Sequence, residues 1–158
     1  MAKRAENGVK SKERKKVFAE VNTPMWIVND MLDMLVREND NKPDDIFAKE
    51  KTFIEPACGD GNFLIEILHR KLRYCKNSED IKEVLKSIFG IDIQEDNVID
   101  SRKRMMTLLK IYFPSIFKDN DELIKECEEI LKRNIVVGNF LTKCDLEGNP
   151  IWFLEDAE

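Results

Sequence analysis

Thr52-Phe53-Ile54-Glu55-Pro56-Ala57-Cys58-Gly59-Asp60-Gly61-Asn62-Phe63-Leu64 contains a change of period. Residues 52–56 read as a short apolar strand, whereas Phe63, Leu64, Ile67, Leu68 and Leu72 recur at the spacing of one helix face. Between them, Gly59 and Gly61 permit a tight turn and close approach by a ligand. The helix that follows starts with N–H groups that have no intrahelical partner. A strand-to-helix turn of this kind lies at the carboxyl edge of an α/β sheet, where ligands bind. The third glycine of a dinucleotide fingerprint is missing, and no Walker Lys-Ser/Thr pair follows. Glu55 and Asp60 oppose a phosphate and favour a ligand that brings an ammonium or hydroxyl donors.

Working outward, the same alternation continues. Upstream, Thr23-Pro24 suits a helix start, with Thr as cap and Pro in the first turn. Ile27, Val28, Met31, Leu32 and Leu35 form the predicted inner stripe of a helix ending near Arg37. Residues 38–45 read as a polar loop and 46–50 as a further helical turn. Downstream, Ser78–Lys86 reads as a helix with Ile81, Val84 and Leu85 on one side. Ile88–Ile93 is a second strand carrying Asp92 near its end. Glu95–Tyr112 is a long helix stopped by Pro114. Asp121–Arg133 is another, with Ile124, Cys127, Ile130 and Leu131 inward. Residues 134–139 form a third strand, and the pattern fades from Thr142. Ile151–Leu154 is either a strand or a docked tail. Strands separated by helices predict a mostly parallel α/β sheet with helices on both faces. Right-handed crossovers place the second and third strands successively to one side of the first.

The strand ends then form a set. Asp92 beside the glycine turn can accept both hydroxyls of a ribose. Glu55 and Asp60 can meet an amine, directly or through water. Asn139 can bond an adenine edge, and Ile93 or Phe140 can line the base.

Composition bounds the alternatives. The 158 residues suit one domain, and 42 % apolar with 36 % charged residues is a globular mix. The net charge of −5 excludes a body-wide basic surface. The positive charge concentrates in residues 1–16, which hold seven basic and two acidic residues and read as a flexible tail. The sharper reading is an arm that touches nucleic-acid phosphate, steering without specifying sequence. No apolar run reaches a membrane span and no signal-peptide core is present, so a cytoplasmic protein is expected. Cys58, Cys75, Cys127 and Cys144 are far apart and His69 is the lone histidine. Reduced thiols and no metal site are therefore expected.

Four segments, in order, carry a resemblance: “FAEVNTPMWIVNDMLDML”, “FIEPACGDGNFLIEIL”, “FGIDIQEDNV” and “IVVGNFL”. Together they resemble the amino-terminal part of the S-adenosylmethionine-dependent DNA adenine-N6 methyltransferases of restriction-modification systems, over roughly residues 18–141. The resemblance implies a partial class I, Rossmann-like methyltransferase fold, truncated after about three strands. “EPACGDGNF” is similar to the family's Asp/Asn-Pro-Ala-Cys-Gly-x-Gly-x-Phe cofactor loop. By position, Thr23 and Pro24 flank the methionine end of the cofactor. Glu55, Ala57, Cys58, Gly59 and Gly61 form its loop, with Asp60 at the variable position and Phe63 opening the supporting helix. Asp92 corresponds to the ribose-binding acid, Ile93 to its adenine-contacting neighbour, and Asn139 with Phe140 to the adenine-side motif. Two positions depart from the family. Glu55 is one methylene longer than the usual Asp, and Asn139 stands for an Asp.

The family's catalytic Asn/Asp-Pro-Pro-Tyr/Phe string does not occur. Asn149-Pro150-Ile151-Trp152 imitates it, but lacks the second proline and follows residues too polar for a central strand. It reads as a turn. The expectation is a cofactor domain at 17–141, inactive alone, with the catalytic motif beyond Glu158 or on a partner chain. Residues 142–158 form a polar tail. The family's fourth strand sits beside the first, so that edge is expected to be covered by Ile151–Leu154 or by another chain. The partner implied for a complete enzyme is DNA. Self-association or a second methyltransferase chain is the other partner expectation. The alternative function is a non-catalytic remnant or a partner-binding subunit of a restriction-modification complex. Methylation of RNA, protein or a small molecule is a third reading.

Overall fold

Three parallel strands, β1 (Phe53–Glu55), β2 (Ile88–Asp92) and β3 (Ile135–Val137), lie side by side in the order β1-β2-β3 in the computed structural model. The structure describes residues 22–155, so the readings of the basic tail and of 156–158 fall outside the described residues. The helices are α1 (Met25–Glu38), α2 (Pro43–Phe47), α3 (Asn62–Leu72), α4 (Ser78–Lys86), α5 (Glu95–Tyr112), α6 (Pro114–Phe117) and α7 (Asp121–Asn134). A short 3-10 turn, Trp152–Leu154, follows β3. The strand order is the one that successive right-handed crossovers predict.

The two faces of the sheet are covered unequally. Side chains alternate along a strand, so Phe53, Ile88, Gly90, Ile135 and Val137 share one face. That face carries the main core, built with Val28 and Leu32 of α1, Leu64, Ile67 and Leu68 of α3, Met105 and Leu109 of α5, and Cys127 and Leu131 of α7. A Cβ at Gly90 would meet Leu64 Cδ1 at 2.9 Å, so glycine is what lets α3 lie this close to β2. The opposite face carries Ile54, Phe89, Ile91 and Val136. It is covered by Ile151, Phe153 and Leu154, with the rings of Phe89 and Phe153 4.8 Å apart. Two expectations are corrected here. Among the described residues the core-forming helices pack on one face rather than both. Ile151–Leu154 docks on a face of the sheet, through its apolar side chains, and not along the edge of β1.

Other differences are local. Thr23 does not cap α1, whose N-cap is Pro24 and carries no side-chain bond. Helix α2 begins at Pro43, inside the predicted loop, because proline fits a first helical turn. Only Val28 and Leu32 of the predicted α1 stripe are buried, whereas Met31 and Leu35 are 49 % and 42 % exposed beside exposed Trp26 and Met34. A single contact with the core along α1 buries one narrow stripe and leaves the flanking apolar residues out. In α7 the inward row is Leu123, Cys127 and Leu131, and the predicted Ile124 and Ile130 flank it. No described helix is long and apolar enough to cross a membrane.

Candidate functional site at the carboxyl edge of the sheet

The Cys58–Gly61 turn is fixed from both sides. Cys58 N–H donates to Ile91 O at 2.8 Å, carrying the β1–β2 pairing into the turn. Gly61 N–H donates back to Cys58 O at 2.9 Å. Gly59 and Gly61 have φ of 53° and 97°, in the left-handed region that favours glycine. Ser101 of α5 donates its hydroxyl to Gly59 O at 3.0 Å, and a Cβ at Gly61 would lie 2.8 Å from that hydroxyl oxygen. Cys58 is buried against Gly90, and burial pushes its thiol up to about 12. It is a packing residue rather than a nucleophile.

Asp92 sits where the strand order places it, beside the turn. Its Oδ2 accepts from Gly59 N at 2.9 Å, and Oδ1 accepts from Gln94 N at 2.8 Å and from Asn97 Nδ2 at 3.0 Å. A carboxylate offers about four acceptor positions. Asp92 therefore holds the turn and the start of α5 together and keeps about one position open. Glu55, at the end of β1, is partly buried, and burial raises its pKa above the ordinary glutamate value. A contact from Ala57 N at 3.4 Å opposes that shift weakly.

On the β3 side, Gly138 N–H donates to Asp92 O at 2.9 Å and brings Asn139 to the same edge. Asn139 Oδ1 already accepts from Leu141 N at 2.9 Å, which leaves its amide N–H groups as the open donors. Ile93 and Phe140 are 50 % and 40 % exposed. Glu55 is level with Gly90 and Asp92 with Val137, so Glu55, Asp92 and Asn139 form a stepped row, each about 5 Å across and two residues further along than the last.

At the other end, the segment Asn22–Pro24 lies against the turn. Asn22 Nδ2 donates to Asp60 Oδ2 at 3.0 Å, and Asn62 Nδ2 donates to Thr23 O at 2.8 Å. Arg104 of α5 closes the set. Its Nη1 donates to Asp60 O at 2.7 Å and lies 3.3 Å from Asp60 Oδ1, while Nη2 donates to Asn62 Oδ1 at 2.9 Å. Asp60 is thus engaged on both oxygens. A cavity of about 50 Å3 is lined by Asn22, Thr23, Ala57, Cys58, Gly59, Asp60, Asn62 and Phe63. That is below the size of small-molecule sites, so a larger ligand must extend over the open edge toward Asp92. A groove of about 550 Å3 between α5 and α7 is lined by none of the predicted site residues.

The structure therefore gathers all the predicted residues at one edge. The sequence reading missed Asn22, Asn62, Asn97, Ser101 and Arg104. Asn22, Asn62 and Asn97 lie within recognisable segments, but nothing in the periodicity of α5 marks Ser101 or Arg104. The Asn149–Trp152 string does not form a site. Asn149 bonds to Asp145, and Trp152 donates its indole N–H to Arg133 O with the Arg133 guanidinium 4.2 Å over its ring. No group of three or more metal-ligating side chains occurs among the described residues.

No family model matches the chain, and no solved structure matches it. Among curated proteins, it is 32 % identical over 96 residues to the Type II methyltransferase M.VspI of Vibrio sp. (strain 343). The match covers 61 % of this chain and 19 % of that protein. The chain is related to a methyltransferase. It spans about a fifth of the relative's length. The small parallel sheet is compatible with a Rossmann-like methyltransferase fold.

Proposed function

We propose that this chain carries the S-adenosylmethionine site of an adenine-N6 DNA methyltransferase. The observation that supports it best is the continuous row from Asn22 and Thr23, through Glu55 and the glycine turn, to Asp92 and Asn139. Its chemistry suits that cofactor. Glu55 is a carboxylate for the cofactor's ammonium. The N-terminus of α3, which no side chain caps, faces the same turn and suits the cofactor's carboxylate. Asp92 offers its open acceptor position to a ribose hydroxyl. Asn139 offers an N–H to a ring nitrogen of adenine, and its oxygen, which already accepts from Leu141 N, keeps one lone pair for the exocyclic amine. Ile93 and Phe140 present apolar surface for the base. The cofactor would supply an electrophilic methyl group.

Methylating adenine N6 also requires an acceptor for the amine's proton and an aromatic platform for the flipped base. The 158 residues contain no Asn/Asp-Pro-Pro-aromatic string. Transfer to DNA is therefore proposed to need further residues, in the same polypeptide or on a second chain. Calorimetry with S-adenosylmethionine and S-adenosylhomocysteine tests the cofactor reading. Binding is expected, and Asp92→Ala should weaken it tenfold or more by unpairing one donor in the turn and two at the start of α5. A folded sample that binds neither compound refutes the proposal. Methyl transfer to mixed-sequence duplex DNA should stay at background for this chain alone, and clear turnover would reject the missing-motif argument.

A further inference from the structure

We infer that Arg104 is a positioning residue that sets affinity for the amino-acid end of the cofactor while leaving the nucleoside end untouched. The inference rests on the proposed cofactor site and concerns a residue outside every recognisable segment. Arg104 projects from the middle of α5 and uses its planar fork on two neighbours in the turn, Asp60 and Asn62. Each of these then grips the segment leading into α1, Asp60 through Asn22 and Asn62 through Thr23 O. One guanidinium thus fixes both walls of the cavity at the Thr23 end.

The Asp92 end is fixed separately. Gly59, Gln94 and Asn97 hold Asp92, and β2–β3 pairing holds Gly138 and Asn139. The bonds of Arg104, Asp60 and Asn62 run to one another and to Asn22 and Thr23, not to Asp92 or Asn139. The site is therefore built from two hydrogen-bonded sets that meet at Gly59 and along α5, which carries Asn97 toward one and Arg104 toward the other. Asp60, which the residue pattern offers as a contact for the ligand's amine, is tied into the scaffold by one contact on each oxygen, from Arg104 and Asn22. Among the described residues, the Glu55 carboxylate has only the 3.4 Å contact from Ala57 N. That leaves Glu55 as the carboxylate facing the amine.

The test compares two ligands by calorimetry on the same protein. S-adenosylhomocysteine carries both ends, and 5′-methylthioadenosine lacks the amino acid. Arg104→Gln should weaken S-adenosylhomocysteine about tenfold or more, the scale of losing charge-assisted hydrogen bonds. Binding of 5′-methylthioadenosine should stay within about twofold of wild type. Arg104→Lys should recover part of the loss, because an ammonium still pairs with Asp60 but cannot fork to Asn62. Asn22→Ala removes only the outermost bond and serves if Arg104→Gln does not fold. It should weaken S-adenosylhomocysteine by about two- to tenfold, again without affecting the shorter ligand. Equal losses for both ligands, or no loss for S-adenosylhomocysteine, overturn the inference alone. A wild-type protein that binds neither ligand refutes the proposed function and, with it, this inference.

Discussion

Replacing Gly61 with alanine puts the central turn under two separate strains. The backbone there has φ of 97°, outside the range an L side chain adopts freely. Holding alanine in that conformation costs about 1–2 kcal/mol. The added methyl would also lie 2.8 Å from Ser101 Oγ, 3.1 Å from Ser101 Cβ and 3.2 Å from Ser101 Cα. The last is backbone of α5, so a rotamer change cannot relieve it, and overpacking of this kind costs about 1–3 kcal/mol. Together the penalty is about 2–5 kcal/mol, a large share of the 5–15 kcal/mol typical of a domain. For a chain of this size that lowers Tm by roughly 4–20 °C. Urea denaturation of the single variants and of Gly61→Ala/Ser101→Ala gives the steric part directly. Removing the Ser101 hydroxyl should recover about 1 kcal/mol of the Gly61→Ala loss, and the rest should persist. Strict additivity of the two substitutions would refute the contact argument. A Gly61→Ala protein as stable as wild type would refute the whole account of the turn.

Two further outcomes follow from titrating groups. Burial keeps Glu55 protonated to higher pH than an ordinary carboxyl, and a ligand ammonium needs it ionised. Affinity for S-adenosylhomocysteine should therefore rise with pH above 4.5 and level off once Glu55 is ionised, with the slope absent in Glu55→Gln. Calorimetry between pH 5 and 7.5 checks this, and an unchanged slope in the variant counts against the assignment. Lys71 is fully buried, donates to Ala48 O and Lys51 O, and is lowered by desolvation from 10.5 to about 8. Between those values the unfolded chain holds the extra proton, so the Lys71 penalty is complete below pH 8 and fades as pH rises toward 10.5. The stability of wild type minus that of Lys71→Met should grow by about 3 kcal/mol from pH 7.5 to 10.5. The raised thiols of Cys58, Cys75 and Cys127 act in the opposite direction above pH 9. Cys58 and Cys127 do so equally in both proteins, whereas Cys75 loses the lowering effect of the Lys71 charge in the variant, so the difference is read with Cys75→Ser in both backgrounds. A pH-independent difference in urea denaturation would show that Lys71 titrates normally.

The sequence by itself determined the order of the elements, the parallel pairing and the sidedness of the strand ends. These follow from period and chirality. An apolar strand, a glycine turn and an amphipathic helix, repeated along one chain, leave Glu55, Asp92 and Asn139 at one edge whatever the details of packing. The lengths of α4 and α5 were legible for the same reason, whereas Asn149 and Pro150, read as a turn, lie just past one: the turn falls at Leu146 and Glu147, and Pro150 pairs with Cys144. Only the tertiary structure decided which face each helix covers. Period two says that Ile91 and Ile88 point apart, but not that the helices gather over Ile88 while Ile151 and Leu154 cover Ile91. It also decided which neighbours hold each polar side chain at the edge. Asp60, between two glycines, and Asp92, at the end of a strand, both read in the sequence as acids offered to a ligand. In space Asp60 is tied to Arg104 of α5 and to Asn22, whereas Asp92 is held by Gly59, Gln94 and Asn97 beside β3. Hydrogen-bond partners separated by some forty residues, such as Arg104 and Asp60, leave no periodic trace, because periodicity records burial and not pairing.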